Sequence, residues 1–293
     1  MGVRRTCSVT HQVSVESRVE EVKGRNAGGP PAVYLARPDE RVPVARLERY
    51  VSEADVGDAN RAGEVGGEKR RRDVLRSRAF CRTVLARVLR EHGAGEYRPA
   101  ELPLARDGGG KPSLAVNGRD VAFSVSHTGT LLACAVSLGG RTVGVDVERI
   151  DRALRDDPSA RATRLFAARE AEDVRARGRN AFLERWTLKE AYLKATGEGI
   201  GVRRRLREVT FDYDLAAHAA EDSLLAPVRL EDDAPPPTFA GATADQWKIY
   251  LAHLPELEHV MAVCTLELDG LDATPPRVWL TDTLAEDAVA LAL

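Results

Sequence analysis

One stretch constrains the fold more than any other part of the sequence. Residues 121–150 read VAFSVSHTGTLLACAVSLGGRTVGVDVERI, three apolar segments of strand length separated by HTGT and by GGR. Apolar segments of this length, bounded by turns that contain glycine, are typical of neighbouring β-strands. The stretch therefore predicts three consecutive strands, and the third of them, VGVDVERI (143–150), carries two acidic residues.

The acidic residues of the third strand share one face. Because side chains alternate across a strand, the valines at 143, 145 and 147 point to one side, and Asp146 and Glu148 point to the other. Two neighbouring carboxylates repel each other unless a positive charge lies between them. A half-exposed strand with a solvated polar face is the more common arrangement. The alternative is a hard divalent cation held by both carboxylates, with Mg²⁺ as the obvious candidate.

Two long helices are predicted, at about 70–92 and 180–196. The first, RRRDVLRSRAFCRTVLARVLREHG, places apolar residues near helical spacing and stops at Gly93. The second, NAFLERWTLKEAYLKAT, has Asn180 as its candidate N-cap and Gly197 as its stop. A shorter helix is expected just before it, at about 166–177.

The second long helix carries an acidic residue in an unusual position. Glu190 projects between Leu183 and Trp186 on the inward face, and Lys194 lies one turn further on. A carboxylate in an apolar stripe is costly to bury without a partner. Either Glu190 and Lys194 form an ion pair on the helix surface, or Glu190 is a third carboxylate that faces the acidic strand.

The chain as a whole predicts an α+β fold with two lobes. Two similar apolar strands, TLLACAVSL (130–138) and VMAVCTLEL (260–268), each belong to a unit with one long amphipathic helix. We expect a flexible N-terminal extension at 1–31, an N-terminal lobe at 32–142, a C-terminal lobe at 143–270 and a C-terminal tail at 271–293.

Composition excludes several classes of function. A net charge of −2 argues against a protein that coats nucleic acid through overall basicity. No apolar run approaches the ~20 residues of a membrane helix, and the first residues lack a signal-peptide core. The four cysteines form no CxxC pair and no metal-ligand spacing, as expected for a reduced, cytoplasmic protein.

Three further segments carry candidate anion-binding residues. Ser126 and His127 end a strand at a glycine-containing turn, where they could present donors to an anion or be merely exposed. GGGKPS presents Lys111 but is not a P-loop, because Pro112 replaces the required Ser or Thr. The segment EKRRRDVLRSR, which includes Arg76, is either an anion site or a solvated run of charge.

The order of these segments is more specific than any one of them. GKPSL, FSVSHTG, VGVDVER and WTLKEAYLKATGEGI, in that order, strongly resemble the 4′-phosphopantetheinyl transferase superfamily, in its larger two-lobed type that activates surfactin synthetase. The resemblance covers about residues 32–268. It implies two similar α/β lobes related by pseudo-two-fold symmetry, each a small sheet packed on a long helix.

The resemblance also implies roles for individual residues. The positions that match the family's magnesium ligands are Asp146, Glu148 and Glu190. The positions that match coenzyme A contacts are Arg76, Lys111, Ser126, His127, Lys189 and Lys194, with Glu170 aligned less securely near the metal. Glu190 is then the expected general base, and Lys194 the residue that assists the leaving phosphate. The segment AGEVGGEKRRR departs from the family pattern, which leaves open which arginines hold the 3′-phosphate.

The activity implied by the resemblance is Mg²⁺-dependent, with Mn²⁺ as an alternative ion. The 4′-phosphopantetheine group of coenzyme A would pass to a serine of an apo acyl or peptidyl carrier protein, releasing adenosine 3′,5′-bisphosphate. The carrier is expected to be acidic and to contact GVRRRLRE (201–208), and the enzyme to be a monomer that binds neither nucleic acid nor membrane. The alternatives are another Mg²⁺-dependent phosphoryl or nucleotidyl transferase, and a non-catalytic carrier-binding module.

Overall fold

The computed structural model describes residues 30–106, 112–138, 142–154, 156–198, 205–215, 224–231, 242–267, 274–284 and 288–290. Its helices are α1 Val44–Glu48, α2 Glu53–Glu91, α3 Pro158–Leu165, α4 Ala168–Arg177, α5 Arg179–Thr196 and α6 Arg205–Glu208. Its strands are β1 Ala32–Ala36, β2 Leu104–Arg106, β3 Pro112–Val116, β4 Arg119–His127, β5 Leu132–Leu138, β6 Val143–Arg149, β7 Phe211–Asp212, β8 Ala226–Leu230, β9 Trp247–Leu254, β10 His259–Leu266, β11 Arg277–Thr281 and β12 Ala288–Ala290.

The strands form two sheets. The first has the order β12-β11-β1-β5-β4-β3-β2, and the second β6-β10-β9-β8-β7. The three strands predicted within residues 121–150 are confirmed as β4, β5 and β6. The third leaves its neighbours, however, because β6 pairs antiparallel with β10 and so begins the second sheet.

Alternation along the strands arranges the sheets and helices in layers. Of the β1 side chains, Val33 and Leu35 pack towards the second sheet, whereas Tyr34 packs against α2 on the opposite face. The three valines of β6 likewise join the core between the sheets, while α5 covers the outer face of the second sheet. The α+β class expected from the sequence is therefore confirmed, with helix α2 on one outer face and helix α5 on the other.

Helix α2 is longer than its sequence pattern predicts. It begins at Glu53, where Ser52 and Asp55 form a reciprocal capping box, and Gly67 interrupts it with a φ of 73°. The first part was not predicted because it carries no apolar stripe, whereas the sheet-facing residues begin near Leu75. The long helix predicted at 70–92 is thus the second part of α2.

The other helix boundaries follow glycine and proline residues. Gly197 ends α5 in the left-handed conformation, as predicted, with a φ of 77°. The N-cap of α5 is Gly178 rather than Asn180, because Gly178 (φ 74°) reverses the chain directly after α4 and leaves Asn180 inside the helix. The helix expected at 166–177 is confirmed as α4, and α3 precedes it with Pro158 in its first turn.

The segment expected to be a C-terminal tail contributes to the first sheet. Strand β11 runs parallel to β1, with Val33 opposite Val278 and Leu35 opposite Leu280. The expected N-terminal extension lies almost wholly outside the described residues. Within the described ranges, no helix is both long and apolar enough to cross a membrane.

Candidate active site

The site lies where β6, β4 and α5 meet, and Gly144 sets how closely they approach. Gly144 shares the face of β6 that carries Asp146 and Glu148. A Cβ atom added to Gly144 would lie 1.9 Å from the backbone oxygen of Ala191 and 2.6 Å from the nitrogen of Ala195. Helix α5 therefore packs directly on the strand, which brings its acidic and basic side chains to the strand carboxylates.

Asp146 has a cation and a hydroxyl on one oxygen and no partner on the other. Its Oδ1 accepts hydrogen bonds from Ser126 Oγ at 2.7 Å and from Lys194 Nζ at 2.7 Å. Its Oδ2 is buried and has no hydrogen-bond partner among the described residues. Of the two alternatives for Glu190 and Lys194, the ion pair on the helix surface is not the arrangement found, since Lys194 pairs with Asp146 instead.

Two serines of β4 stand in for the missing neighbour of the edge strand β6. The backbone N–H of Val145 donates to Ser124 Oγ at 3.1 Å, and that of Val147 donates to Ser126 Oγ at 3.3 Å. The sequence segment FSVSH places these serines two residues apart, so both hydroxyls lie on the face towards β6. In this structure the hydroxyl of Ser126, expected to contact coenzyme A, is therefore engaged with Asp146 and the β6 backbone.

Glu148 and Glu190 both have raised pKa values. Burial raises the pKa of Glu148, the charge of Asp146 raises it further, and hydrogen bonds from Arg152 and Trp186 oppose the rise. Burial is also the main cause for Glu190, whose pKa rises to about 7 with Asp146 as the next contribution and Lys194 opposing. Glu190 is 4% exposed, and its Oε1 lacks a hydrogen-bond partner in the described part of the chain. Because the charges of Asp146 and Glu148 both raise the pKa of Glu190, the three carboxylates lie near one another.

The expected set of three metal ligands is not preformed. Among the described residues, no group of three or more His, Cys, Asp or Glu side chains is arranged to hold a metal ion. Lys194 forms an ion pair with Asp146, and Arg152 forms one with Glu148, so each strand carboxylate already has a cationic partner. The Arg152 contact is to Oε1 of Glu148.

The chemistry of the donors nevertheless fits a hard cation. Asp146 Oδ2 and Glu190 Oε1 are buried carboxylate oxygens that have no hydrogen-bond partner in the part of the chain that the structure describes, and such oxygens are costly to leave unsatisfied. Mg²⁺ prefers oxygen ligands, and it is commonly held by one or two carboxylates with substrate phosphates completing its shell. These two oxygens could therefore hold Mg²⁺ together with a phosphate-bearing ligand.

A group of cations lies near His127, at the end of β4. His127 is exposed, but the surrounding protein still displaces enough water to lower its pKa. The charge of Lys194 lowers this pKa next, Asp73 opposes, and Arg78 and Arg70 lower it further. These charges act on the imidazole because α2 passes the end of β4, and together they would attract a phosphate.

The structure points to other arginines than the one expected for the 3′-phosphate. The side chain of Arg76 is 4% exposed and turns towards Asp73, with an Nη1–Oδ1 distance of 3.5 Å. Arg76 therefore does not present its guanidinium to solvent, whereas Arg70 is exposed and Arg78 half-buried. The family resemblance that identified Arg76 could not show which side of α2 packs against the protein.

Lys189, which was expected to contact coenzyme A, is engaged with other groups in this structure. Its ammonium is completely buried, pairs with Glu170 at 2.7 Å and also donates to the carbonyl oxygen of Val209. It lies over the rings of Phe166 and Phe211, within the C-terminal part of the fold. Burial lowers the pKa of Lys189, and Glu170 opposes that shift. Glu170 is thereby also removed from the carboxylates around Asp146.

The remaining candidates lie outside the described residues or at their margin. Lys111 falls in 107–111, which the structure does not describe. The expected carrier contact at 201–208 is described only from 205 onwards. The sequence reasoning also missed the role of Ser124 and Gly144, although the serine spacing and a glycine inside an apolar strand were visible signals.

Comparisons with known proteins point to the same family as the sequence motifs. A family model described as the 4′-phosphopantetheinyl transferase superfamily matches residues 142–264. The 4′-phosphopantetheinyl transferase HetI of Nostoc sp. is 29% identical over 174 residues, which cover 57% of this chain and 70% of that protein. A phosphopantetheinyl transferase of Thraustochytrium sp. is 31% identical over 230 residues, which cover 71% of this chain and 69% of that protein.

A solved structure overlaps only in part. The crystal structure of Thermotoga maritima holo-[acyl-carrier-protein] synthase overlaps with 43% of this chain and 62% of that chain, at 22% identity and a TM-score of 0.31. This overlap is too weak to carry an argument about the fold. The match to the Thraustochytrium protein, by its extent and identity, is strong enough to show the family. This chain belongs to the 4′-phosphopantetheinyl transferase superfamily and is an enzyme of that class.

Proposed function

We propose that this enzyme transfers 4′-phosphopantetheine from coenzyme A to a serine of an apo acyl or peptidyl carrier protein. The observation that carries the proposal is a pair of buried carboxylate oxygens, Asp146 Oδ2 and Glu190 Oε1, that have no hydrogen-bond partner among the described residues, with Lys194 donating to the other oxygen of Asp146. Such a site suits a cation and a diphosphate together, because the cation neutralises the carboxylates and the phosphate oxygens complete the ligands of the cation. Family membership narrows the diphosphate to coenzyme A.

Asp146, Glu148 and Glu190 would hold Mg²⁺. When bound, this ion would neutralise charge that develops on the diphosphate during transfer. The donor oxygens support this assignment, since Mg²⁺ binds few protein ligands and accepts phosphate oxygens for the rest. Mn²⁺ would be accepted by the same oxygens.

Glu190 and Lys194 would move the protons. A carboxylate with a pKa near 7 is well matched to accept the proton of the carrier serine hydroxyl at neutral pH. The serine oxygen then forms a bond to the β-phosphorus, and the bond from that phosphorus to the bridging oxygen breaks. Lys194 would neutralise or protonate the departing phosphate of adenosine 3′,5′-bisphosphate, which an arginine could not do by proton transfer.

The cations near His127 would hold the remaining phosphates of coenzyme A. Lys194, Arg78 and Arg70 are described cations whose charges act on His127 at the end of β4, with Asp73 opposing them, and they support a site for the 3′-phosphate. Ser126 would act mainly by orienting Asp146, since its hydroxyl donates to that carboxylate. Lys111 stays a further candidate phosphate contact.

The division into lobes also belongs to this proposal. Each sheet with its covering helix would form one lobe, about a pseudo-two-fold axis, with the boundary near residue 143. Coenzyme A and Mg²⁺ would bind where β4 of the first sheet meets β6 of the second. The acidic carrier would approach the basic segment 201–208, which follows α5.

The test is to incubate the protein with coenzyme A, Mg²⁺ and a panel of apo acyl and peptidyl carriers. We expect one carrier serine to gain the mass of a phosphopantetheine group and adenosine 3′,5′-bisphosphate to be released in equal amount. Release of another nucleotide would favour a different Mg²⁺-dependent phosphoryl or nucleotidyl transferase. Carrier binding without any mass gain would favour the non-catalytic module.

A further inference from the structure

A buried histidine of the second sheet holds the turn that follows His127. His259, the first residue of β10, is 0% exposed. Its Nε2 lies 2.8 Å from Thr128 Oγ1, and its Nδ1 contacts the carbonyl oxygen of Leu257. Thr128 belongs to the β4–β5 turn of the first sheet. This contact therefore links the two sheets beside the cations at the end of β4.

The hydrogen-bond donors and acceptors in this cluster can be counted completely. A carbonyl oxygen only accepts, so Nδ1 of His259 must carry the hydrogen, and Nε2 of the neutral ring must accept. Thr128 Oγ1 therefore donates its hydrogen to His259. The same oxygen accepts from the backbone N–H groups of Thr130 at 3.2 Å and Leu131 at 3.0 Å. The one donor and both acceptor positions of the Thr128 hydroxyl are thus used.

A second proton on His259 would break this arrangement. Nε2–H would then have to donate to Thr128 Oγ1, which already accepts two hydrogens from the turn, or to Thr130 Oγ1 at 3.4 Å, and in either case the hydrogen bond that Thr128 now donates to the ring would be lost. The neutral ring is consistent with its burial, which is the main cause that lowers the pKa of His259. The turn is thus held by a single tautomer of one buried ring.

The position of His259 in its sheet connects the turn to the acidic strand. In the β10–β6 ladder His259 is opposite Arg149, so the next pair is Val260 with Glu148. The residue before it, Glu258, has a left-handed backbone with a φ of 59°, and its carbonyl oxygen accepts from the N–H of Ile150 at 2.8 Å. The ring of His259 is therefore fixed to the end of β6 that carries Glu148.

From this geometry we infer that the His259–Thr128 pair positions His127 relative to the carboxylates on β6. The inference rests on the proposed function, since it assigns to the pair the placement of the phosphate-binding turn for coenzyme A. Neither residue needs to contact the ligand. Without their hydrogen bond, the two turn N–H groups keep their acceptor, but the turn loses its tie to the second sheet.

The test uses paired substitutions in the turn. Thr128→Val removes the hydroxyl at nearly constant shape, Thr128→Ser retains it, and Thr130→Val is the matched control in the same turn. Thr130 Oγ1 is a suitable control because it is exposed and its distances to Thr128 Oγ1 and His259 Nε2 are both 3.4 Å, at the weak end for a hydrogen bond.

Kinetics with coenzyme A separate positioning from simple loss of structure. Thr128→Val removes the bond to His259 and also the acceptor of the two turn N–H groups, so we expect the KM and the calorimetric Kd for coenzyme A to rise about tenfold or more. His259→Phe leaves that acceptor in place, so we expect a smaller rise, about three- to tenfold. kcat and the KM for the carrier should stay within about twofold, since the reacting groups are unchanged. Thr128→Ser should restore the wild-type values, and Thr130→Val should not depart from them.

A double-variant cycle tests whether His259 acts through Thr128. His259→Phe keeps a ring without nitrogens, and we expect the double variant with Thr128→Val to be no worse than the worse single variant. A fall in kcat at unchanged KM, or a rise in KM for Thr128→Ser as large as for Thr128→Val, would overturn the inference. So would fully additive effects of the two substitutions.

The wild-type protein offers a measurement that needs no variant. Long-range ¹H–¹⁵N correlation spectra report which ring nitrogen of His259 carries the proton, and we expect Nδ1 alone at neutral pH. A proton on Nε2 would overturn the inference even if every variant failed to fold.

If the wild type transfers phosphopantetheine but Thr128→Val binds coenzyme A normally, the inference alone is wrong. If the wild type neither binds nor uses coenzyme A, the proposed function fails first and the inference with it.

Discussion

At the residue scale, the site contains more buried carboxylates than cations to neutralise them. Lys194 donates a hydrogen bond to Asp146. The neighbouring Glu190 has an oxygen, Oε1, without a hydrogen-bond partner in the described ranges. Because Glu190 is buried beside another carboxylate, its protonated form is favoured in the folded protein. This imbalance is a cost to folding that a bound cation would relieve.

Glu190→Gln should therefore separate stability from activity. The pKa of Glu190 rises in the folded state from its ordinary 4.5 to about 7. The stabilisation from the bound proton is thus complete below about pH 4.5 and is lost as the pH rises through 7. At pH 8, in the presence of chelator, we expect the variant to unfold with a free energy roughly 1–3 kcal/mol above wild type, while transfer activity is abolished. Urea denaturation of both proteins at pH 5 and pH 8 measures the difference, and a variant that transfers normally would contradict the role given to Glu190.

Gly144 is the residue whose replacement should damage the site most directly. An alanine Cβ would collide with the backbone of α5, and backbone cannot move aside as a side chain can. We expect Gly144→Ala to lower the free energy of unfolding by about 3 kcal/mol or more and to reduce transfer strongly. Gly129→Ala is the control, because a Cβ there has no atom within 4 Å. Equal denaturation midpoints for the two variants would show that the strand and helix can separate at no cost.

At the element scale, the open edge of β6 is completed by side chains instead of by a strand. Ser124 and Ser126 accept the N–H groups that an ordinary neighbour would have bonded through its carbonyls. The arrangement joins β6 of the second sheet to β4 of the first through side chains. It also leaves Asp146 next to a hydroxyl supplied by the other sheet.

Ser124→Ala should cost stability because it leaves the N–H of Val145 buried without an acceptor. We expect the free energy of unfolding to fall by about 1–3 kcal/mol. Ser137→Ala is the matched control on β5, since Ser137 is 1% exposed and its Oγ has no hydrogen-bond partner within the described chain. Removal of that hydroxyl should be neutral or stabilising. A Ser124→Ala variant as stable as Ser137→Ala would mean that β6 is not held by β4.

Another element-scale contact, the buried Lys189–Glu170 pair, joins α5 to α4. Glu170 also accepts weakly from the N–H of Phe211 at 3.4 Å, so the pair reaches the start of the short strand β7. Its two charges are fully removed from water, and each depends on the other. The pair therefore stabilises the packing of α5 against α4.

At the scale of the whole molecule, two sheets share one core and each carries a helix on its outer face. The core between the sheets combines Val33 and Leu35 with the valines of β6, so each sheet buries apolar surface of the other. The active-site groups come from both sheets and from α5, all within one chain. Nothing in this arrangement requires a second copy of the protein to complete the described site.

We therefore expect the protein to be a monomer in solution. The reason is that the apolar faces of both sheets are already covered within the chain by α2, by α5 and by each other. Sedimentation equilibrium over a range of concentrations, with and without coenzyme A and Mg²⁺, measures the mass. Obligate trimers, or transfer activity that falls on dilution of the enzyme itself, would contradict this expectation.

The sequence by itself determined the features that depend on near neighbours in the chain. Strand alternation predicted that Asp146 and Glu148 share a face away from the β6 core, and glycine placement predicted the end of α5 at Gly197. These predictions succeeded because a residue's neighbours two to four positions away decide which face it occupies. The family resemblance succeeded for the same reason, since it rests on short local segments in a fixed order.

Only the tertiary structure decided which partners each of these side chains meets. Lys189 and Lys194 both follow Trp186 on one helix, yet one lies in the core with Glu170 and the other at Asp146. The commitment of Ser126 to Asp146, the burial of Arg76 and the pairing of β11 with β1 were equally invisible in the sequence. The physical reason is that each depends on atoms brought close by packing between segments far apart in the chain, for which local periodicity carries no information.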